Sequence, residues 1–176
     1  LRIRVFRDWP YLYDGDADYE ATYLATYARS PRSVFVLALD GDRVVGCSTG
    51  VPLRDETANC QAPFVAAGFD IDTVYYFGES VLDPDYRGRG LGHRFFDARE
   101  SYARSLPGIR CTAFCAVRRA DDDPRRPRQY RPLDDFWTRR GYRRRPELTA
   151  QFEWKELGCD SPVTNSMQFW LREWSS

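Results

Sequence analysis

One stretch restricts the fold more than any other, because an apolar run, a glycine-rich turn and an amphipathic segment follow one another directly. "TVYYFGESVL" at 73–82 has the β-branched and aromatic content of a buried strand. "YRGRGLG" at 86–92 then leads into residues 91–105, where apolar side chains recur at helical spacing. The apolar positions are Leu91, Phe95, Ala98 and Tyr102. The sequence therefore predicts a strand–turn–helix unit with free backbone N–H groups at the start of the helix.

The remaining segments predict strands and helices around one sheet, from the periodicity of their apolar residues. The expected strands lie at 2–7, in a hairpin at 34–53 that turns at Asp40-Gly41-Asp42, and at 73–82, 109–117, 148–157 and 163–174. The expected helices lie at 17–29, 56–67, 91–105 and 133–140, the last ending at Gly141. This mixture indicates a single α/β or α+β domain over residues 1–176, with a mixed sheet.

Composition limits the classes of protein that the chain can belong to. Apolar residues make up 43% and aromatic residues 15%, which predicts a packed core. Basic and acidic residues number 26 each, so the net charge does not favour a polyanionic partner. A membrane span is not predicted, because the sequence has no run of about 18 apolar residues. Five cysteines without a tight framework and a single histidine, His93, predict reduced thiols, a cytoplasmic location and no metal site.

The glycine-rich turn is suited to a phosphate group. Glycine lets a pyrophosphate approach the backbone, and the free N–H groups and dipole of a helix N-terminus attract it. A P-loop is excluded because GxxxxGK[ST] is absent. The dinucleotide fingerprint GxGxxG fits poorly, because His93 stands in place of its third glycine and the expected acidic residue is missing.

A third phosphate motif is complete. Arg87, Gly90 and Gly92 satisfy Arg-x-x-Gly-x-Gly, and Leu82-Asp83-Pro84 supplies the apolar-x-Pro that ends the preceding strand. Together with "FWTRRGY" at 136–142, these residues resemble the GNAT superfamily of acetyl-CoA-dependent N-acyltransferases, most closely an uncharacterised bacterial subgroup. The resemblance covers nearly the whole chain. It implies a mixed, mostly antiparallel central sheet with one splayed strand pair and helices on both faces.

The resemblance also implies where acetyl-CoA or coenzyme A binds as co-substrate. In the family the pantetheine arm lies between the splayed strands, and Ser80, Val81 and Leu82 stand at the positions that contact it and the acyl group. Backbone N–H groups of the glycine-rich turn stand where the family holds the pyrophosphate. These residues are Arg87, Gly88, Arg89, Gly90, Leu91 and Gly92. The alternative is a surface turn with solvated arginines.

Catalysis in the family is direct attack of an amine on the thioester, which needs a base, an oxyanion donor and a proton for the thiolate. Glu79 lies in an apolar strand where burial would raise its pKa, and it is predicted to be the base or to bind the substrate ammonium. The usual tyrosine acid falls at Trp137, which cannot supply a proton. Tyr130 is the predicted substitute, unless it is an ordinary loop aromatic, and Tyr142 is expected in the core.

Two segments that could face the acceptor have opposite charge. Residues 9–20 combine aromatic and acidic side chains, which either suit a cationic amine or cap the following helix. Residues 117–145 hold eleven arginines against five aspartates. This excess of positive charge is either a solvated surface or an attraction for an acidic substrate, a coenzyme phosphate or nucleic acid.

These observations favour an N-acetyltransferase acting on a primary amine of a small molecule. The alternative is an acyl-CoA-binding domain without transferase activity, which the missing tyrosine leaves open. We expect no membrane partner, and a nucleic acid is the less favoured reading of the arginines. Dimer contacts in the family imply a homodimer through the last two strands, by analogy alone.

Overall fold

The computed structural model describes residues 1–174, which form a seven-stranded sheet with helices on both faces. The strands are β1 (Val34–Asp40), β2 (Arg43–Pro52), β3 (Val74–Tyr76), β4 (Ser80–Leu82), β5 (Cys111–Val117), β6 (Arg143–Lys155) and β7 (Pro162–Glu173). The helices are α1 (Arg2–Phe6), α2 (Ala17–Arg29), α3 (Ala58–Ala66), α4 (Leu91–Ser105) and α5 (Asp134–Arg139). The strand order is β1-β2-β3-β5-β7-β6, and β4 also pairs with β2. Among the strands within residues 1–174, only β3 and β5 pair in parallel, and the mixed, mostly antiparallel sheet confirms the predicted fold class.

The first predicted strand is wrong, because residues 2–6 form helix α1. Alternation of apolar and charged residues over six positions is too short to separate a strand from one turn of helix. None of the residues of α1 is buried. Its contacts are specific instead: Arg2 pairs with Glu20 and Glu79, and Phe6 packs against Tyr11 with ring centroids 4.5 Å apart.

The predicted strand at 73–82 is interrupted and becomes β3 and β4. On β2, Val51 faces Tyr76 and Ser48 faces Ser80, so two residues of β2 oppose the three residues 77–79. One extra residue on one strand is a β-bulge, which re-aims the side chains that follow it. The bulge brings the backbone of residue 78 so close to Tyr27 that only glycine fits there. A Cβ at this position would collide with the Tyr27 hydroxyl and ring.

The bulge determines which face of the sheet the side chains of Glu79 and Ser80 point to. Before it, Tyr76 packs on the α2 and α3 face while Phe77 packs on the α4 face. After it, Glu79 contacts Tyr23 of α2, and Ser80 contacts Arg99 of α4. Without the extra residue, strict alternation would reverse the faces of Glu79 and Ser80.

Helix α4 follows the glycine-rich turn as predicted, but its buried face differs. The fully buried residues are Phe95, Phe96, Arg99, Glu100 and Ala103. Leu91, Ala98 and Tyr102, which were expected to form the apolar side, are only half-buried. The face that packs on the sheet therefore contains an arginine and a glutamate.

The arginine-rich loop after β5 is tied to the rest of the domain by ion pairs. Arg119 and Arg125 both contact the carboxylate of buried Glu156 at 2.7 Å, and Arg126 pairs with Asp121. Arg119 also donates to the carbonyl of Pro10 at 2.7 Å, which fixes the turn after α1. Within residues 1–174, no helix is both long and apolar enough to span a bilayer.

Candidate active site

The sheet opens where β4 leaves the line of β3. The β3–β5 pairing ends at Tyr76 and Ala113, whereas β4 pairs with β2 alone. The backbone carbonyl of Glu79 accepts a hydrogen bond from the Thr49 N–H at 3.1 Å, and the Asp83 N–H donates to the backbone carbonyl of Val45 at 2.8 Å. Antiparallel alternation then directs the backbone groups of Val81 toward its partner Cys47 on β2, and those of Ser80 and Leu82 toward β5. The gap thus presents an open strand edge at Ser80 and Leu82, and it confirms the predicted splayed pair.

The glycine-rich turn lies at one end of this gap and leads into α4. Gly88 and Gly90 have φ of 75° and 79°, a left-handed backbone that glycine adopts without strain. The N–H of Arg87 already donates to Pro84 at 3.1 Å, so that group of the predicted set is engaged. In the described part of the chain, the N–H groups from Gly88 to Gly92 have no hydrogen-bond acceptor. Five donors at the start of a 15-residue helix form an anion site.

The two arginines of the turn are held differently. Arg89 donates to the carbonyl of Asp85 at 2.9 Å and lies over the Tyr86 ring, 4.9 Å from its centroid. Arg87 is exposed, and its guanidinium has no hydrogen-bond partner among residues 1–174. Arg87 is therefore the side chain that can add a charge-assisted contact to a bound phosphate.

Glu79 lies at the other end of β4 and is 7% exposed. Its Oε2 accepts from Arg2 Nη1 at 2.6 Å and from the Tyr23 hydroxyl at 2.7 Å. Its Oε1 is buried and has no hydrogen-bond partner among the residues that the structure describes. Burial raises the pKa of Glu79, and the attraction of Arg2 and the bond from Tyr23 only partly oppose that shift.

Ser80 follows Glu79 but points to the opposite face. It is exposed, unlike Glu79 and Val81 on either side of it. Its Oγ accepts a hydrogen bond from Arg99 Nη2 at 2.8 Å. A carboxylate on one face of β4 and a hydroxyl on the other thus flank the opening of the sheet.

Tyr130 belongs to the loop after β5 and contacts other residues than Glu79 and Ser80 do. It packs edge-on to Trp9, with ring centroids 6.0 Å apart, and under Arg126. Burial raises the pKa of Tyr130, with a further contribution from Asp134. No hydrogen bond among the described residues joins its hydroxyl to Glu79 or Ser80, so its role as an acid stays a prediction.

Of the other two aromatic residues of the prediction, Tyr142 is buried in the core and Trp137 is half-buried against it. Trp137, at the position of the usual tyrosine, packs against Phe114 and Trp170 with centroids 5.0 and 5.2 Å away. Tyr142 is 1% exposed, and its hydroxyl bonds Thr112 and Glu100. Tyr142 is therefore in the core, as predicted.

Three residues at the site were missed from sequence. Arg2 and Tyr23 bind Glu79, and Arg99 binds Ser80. Only Arg99 carried a usable signal, because it stands four residues after Phe95 and so on the apolar face of its helix. The partners of Glu79 come from a segment that was predicted as a strand and from a helix with no polar motif.

Comparison with known proteins gives this arrangement a family. The model of the acetyltransferase (GNAT) family matches residues 4–127, well over half of the chain. The chain belongs to the GNAT family of acetyltransferases, which confirms the resemblance seen in its sequence. Acetyl-CoA is accordingly its co-substrate, and the free N–H groups of the glycine-rich turn and the open edge of β4 fit that molecule.

Solved structures of the family share the fold at low sequence identity. A ribosomal-protein-alanine N-acetyltransferase from Brucella melitensis is 14% identical over 91% of this chain and 80% of its own, with a TM-score of 0.56. The NAA60 protein of Arabidopsis thaliana, solved in complex with acetyl-CoA, is 14% identical over 88% and 84% of the two chains, with a TM-score of 0.59. No curated protein sequence matches the chain.

Proposed function

We propose that the protein transfers the acetyl group of acetyl-CoA to a primary amine of a small molecule, by direct attack in a ternary complex. The observation that carries this proposal is the free Oε1 of Glu79, a buried carboxylate oxygen beside the opening between β4 and β5. It supplies an acceptor for a substrate N–H next to the strand edge that suits the pantetheine arm.

Each residue then has a defined part. The N–H groups from Gly88 to Gly92 bind the pyrophosphate, and the free backbone groups of Ser80 and Leu82 bind the pantetheine, with Val81 beneath them. Glu79 first orients the ammonium of the acceptor and then takes its proton. A C–N bond forms, the C–S bond breaks, and the electron pair of that bond leaves with sulfur.

The proposed acceptor side, around Glu79, contains two aromatic rings that lie against Arg2. Arg2, beside Glu79, lies 4.0 Å from the Tyr23 ring centroid and 5.0 Å from that of Phe6. The turn that follows α1 is fixed over this side by Arg119 and by Trp154, which donates to Tyr11 at 2.9 Å. Arg2 covers these two rings, so the group left to bind the ammonium of an acceptor is the unpaired carboxylate oxygen of Glu79.

The test begins with calorimetric titration of acetyl-CoA, coenzyme A and NADH in parallel. We expect micromolar binding of the first two and none of NADH. A panel of small amines is then screened by release of the coenzyme thiol. Failure to bind either coenzyme would overturn the proposal.

A domain that binds acyl-CoA without transferring the acyl group is the second candidate. The tryptophan at position 137, half-buried against the core, favours it, because Trp cannot supply the proton that the usual tyrosine would. Tight binding of acetyl-CoA with no thiol release across a broad amine panel would favour this candidate over the transferase.

We also propose that residues 1–176 act as one domain, in the cytoplasm, and as a homodimer through β6 and β7. Support for the dimer is the family analogy alone. Sedimentation of the purified chain tests it, and a monomer at all concentrations would exclude it.

A further inference from the structure

Arg99 is a buried arginine without a carboxylate partner. It is 1% exposed, and none of its contacts within residues 1–174 is an ion pair. Its guanidinium donates to the carbonyls of Phe95 at 3.2 Å, Thr49 at 3.1 Å and Glu79 at 3.0 Å. Burial lowers the pKa of Arg99 to about 10, which reflects how poorly its charge is compensated.

The fourth hydrogen bond of Arg99 joins the core to the open strand β4. Its Nη2 donates to Ser80 Oγ at 2.8 Å, and Ser80 is exposed at the opening of the sheet. A hydroxyl has one proton and two lone pairs. Because Arg99 occupies a lone pair, the proton of Ser80 is free to be donated to a group in the gap.

We propose that Ser80, polarised by Arg99, donates a hydrogen bond to the departing sulfur of acetyl-CoA and so stabilises the thiolate, although the usual tyrosine position is occupied by Trp137. This inference rests on the proposed transferase function. Ser80 is the catalytic residue here, and Arg99 is a positioning residue that acts through it.

The step balances without an added reagent. As the amine nitrogen bonds to the carbonyl carbon, the C–S bond breaks and its electron pair moves to sulfur. Ser80 keeps its proton and stabilises the thiolate by hydrogen bonding, and water protonates the thiolate after release. The proton of the amine leaves separately through Glu79 and passes to water.

Two physical arguments support this role. A buried cation without a counter-ion is costly, and the developing anion would compensate Arg99 only when the reaction occurs. The bulge also places Ser80 on the face opposite Glu79, so that the donor and the base reach the reacting group from different sides. One face would then receive the amine and the other would receive the sulfur.

The test uses coenzyme A alone and needs no acceptor. The thiolate absorbs in the ultraviolet, so the thiol pKa of bound coenzyme A is obtained by titrating the complex. We expect that pKa to lie below the value for free coenzyme A, and Ser80→Ala to raise it by about one unit, the worth of one hydrogen bond to a charged group. Ser48→Ala, at the paired position on β2, is the matched control and is expected to leave the wild-type value.

Further variants separate this role from a structural one. Arg99→Met is expected to remove the shift in the thiol pKa of bound coenzyme A, and Arg99→Lys, which keeps the charge, is expected to restore part of it. If Arg99→Met fails to fold, Ser80→Ala still tests the proposal by the same thiol pKa. With an acceptor in hand, Ser80→Ala is expected to lower kcat about tenfold with little change in KM.

The outcomes divide cleanly between the two proposals. If coenzyme A does not bind, the proposed function itself is overturned. If it binds and Ser80→Ala leaves the thiol pKa unchanged, only the role of Ser80 is overturned. The role of Ser80 is also overturned if Tyr130→Phe, and not Ser80→Ala, raises the thiol pKa, because Tyr130 would then be the hydrogen-bond donor to the sulfur.

Discussion

The two carboxylate oxygens of Glu79 are in different situations. Oε2 is held by Arg2 and Tyr23, which fixes the side chain in one rotamer. Oε1 is buried and free, and an unpaired oxygen in a buried site binds a donor strongly when one arrives. One carboxylate can therefore be anchored by the protein and still act on a substrate.

Glu79→Gln is expected to lower kcat by two to four orders of magnitude, about the usual contribution of a general base, with little effect on coenzyme affinity. A base must be unprotonated, and burial raises the pKa of Glu79. Activity of the wild-type protein should thus rise with pH through that pKa, and the variant should lose this limb of the profile.

Glu20→Gln is the matched control, because Glu20 also pairs with Arg2. It is expected to retain the limb and most of kcat. A Glu79→Gln variant that changes KM alone would show that Glu79 anchors the ammonium and moves no proton.

Gly90→Asp is expected to weaken coenzyme binding at least about tenfold, because it places a carboxylate against phosphate. It also strains a backbone with φ of 79°. Gly41→Asp in the β1–β2 turn is the control, since Gly41 has φ of 57° and equally open surroundings. Calorimetry should show loss of affinity only for Gly90→Asp, and equal affinity in both variants would contradict the pyrophosphate site.

Sequence reasoning at the residue scale proposed site positions that carry a motif or an unusual residue, and it did not propose Arg2, Tyr23 or Arg99. The glycines of the turn and Glu79 were identified because glycine and a carboxylate are unusual beside an apolar strand. Arg99 was overlooked because arginine in a helix is normally solvent-facing. Arg2 was overlooked because its partners are distant in sequence, at positions 20 and 79.

At the scale of elements, the break between β3 and β4 depends on Gly78. Gly78→Ala is expected to lower the free energy of unfolding by about 1–3 kcal/mol, because its Cβ would collide with the ring of Tyr27. Gly92→Ala is the matched control, since its Cβ would make only an ordinary contact with Phe136 at 3.8 Å. Urea unfolding of both variants measures the difference, and equal stability would show that the bulge tolerates a side chain.

The elements were predicted well where pattern and chemistry agreed. The hairpin at 34–53, the helix at 91–105 and the last two strands follow from apolar periodicity and turn glycines. The break at 77–79 was not predictable, because a bulge depends on which residues of β2 it faces. Helix α1 was mistaken for a strand because its five residues carry too little pattern.

At the scale of the whole molecule, Glu156 connects three segments. It is 2% exposed and binds Arg119 and Arg125 of the loop, next to the turn after α1. Burial alone would raise the pKa of Glu156, but hydrogen bonds from the two arginines outweigh it and hold that pKa below its usual value of 4.5. The ionised form therefore stabilises the fold.

Glu156→Gln is expected to lower the free energy of unfolding by about 3 kcal/mol near pH 7, because it removes the carboxylate that pairs with the largely buried guanidinium of Arg119. The depressed pKa means that this contribution is present above about pH 4.5 and is lost as pH falls below it. Glu147→Gln, which breaks the exposed pair with Arg145, should have a much smaller effect. Denaturation at several pH values checks both, and equal losses would contradict the argument.

The bulge has a consequence for how such a domain can diversify. Substitutions at Glu79 or Ser80 alter one face of β4 at a time, so acceptor choice and thioester chemistry can change independently. A one-residue insertion or deletion at 77–79 would exchange both faces at once. Among descendants of such a chain, the length of this short segment should thus be kept even where the side chains at positions 79 and 80 change.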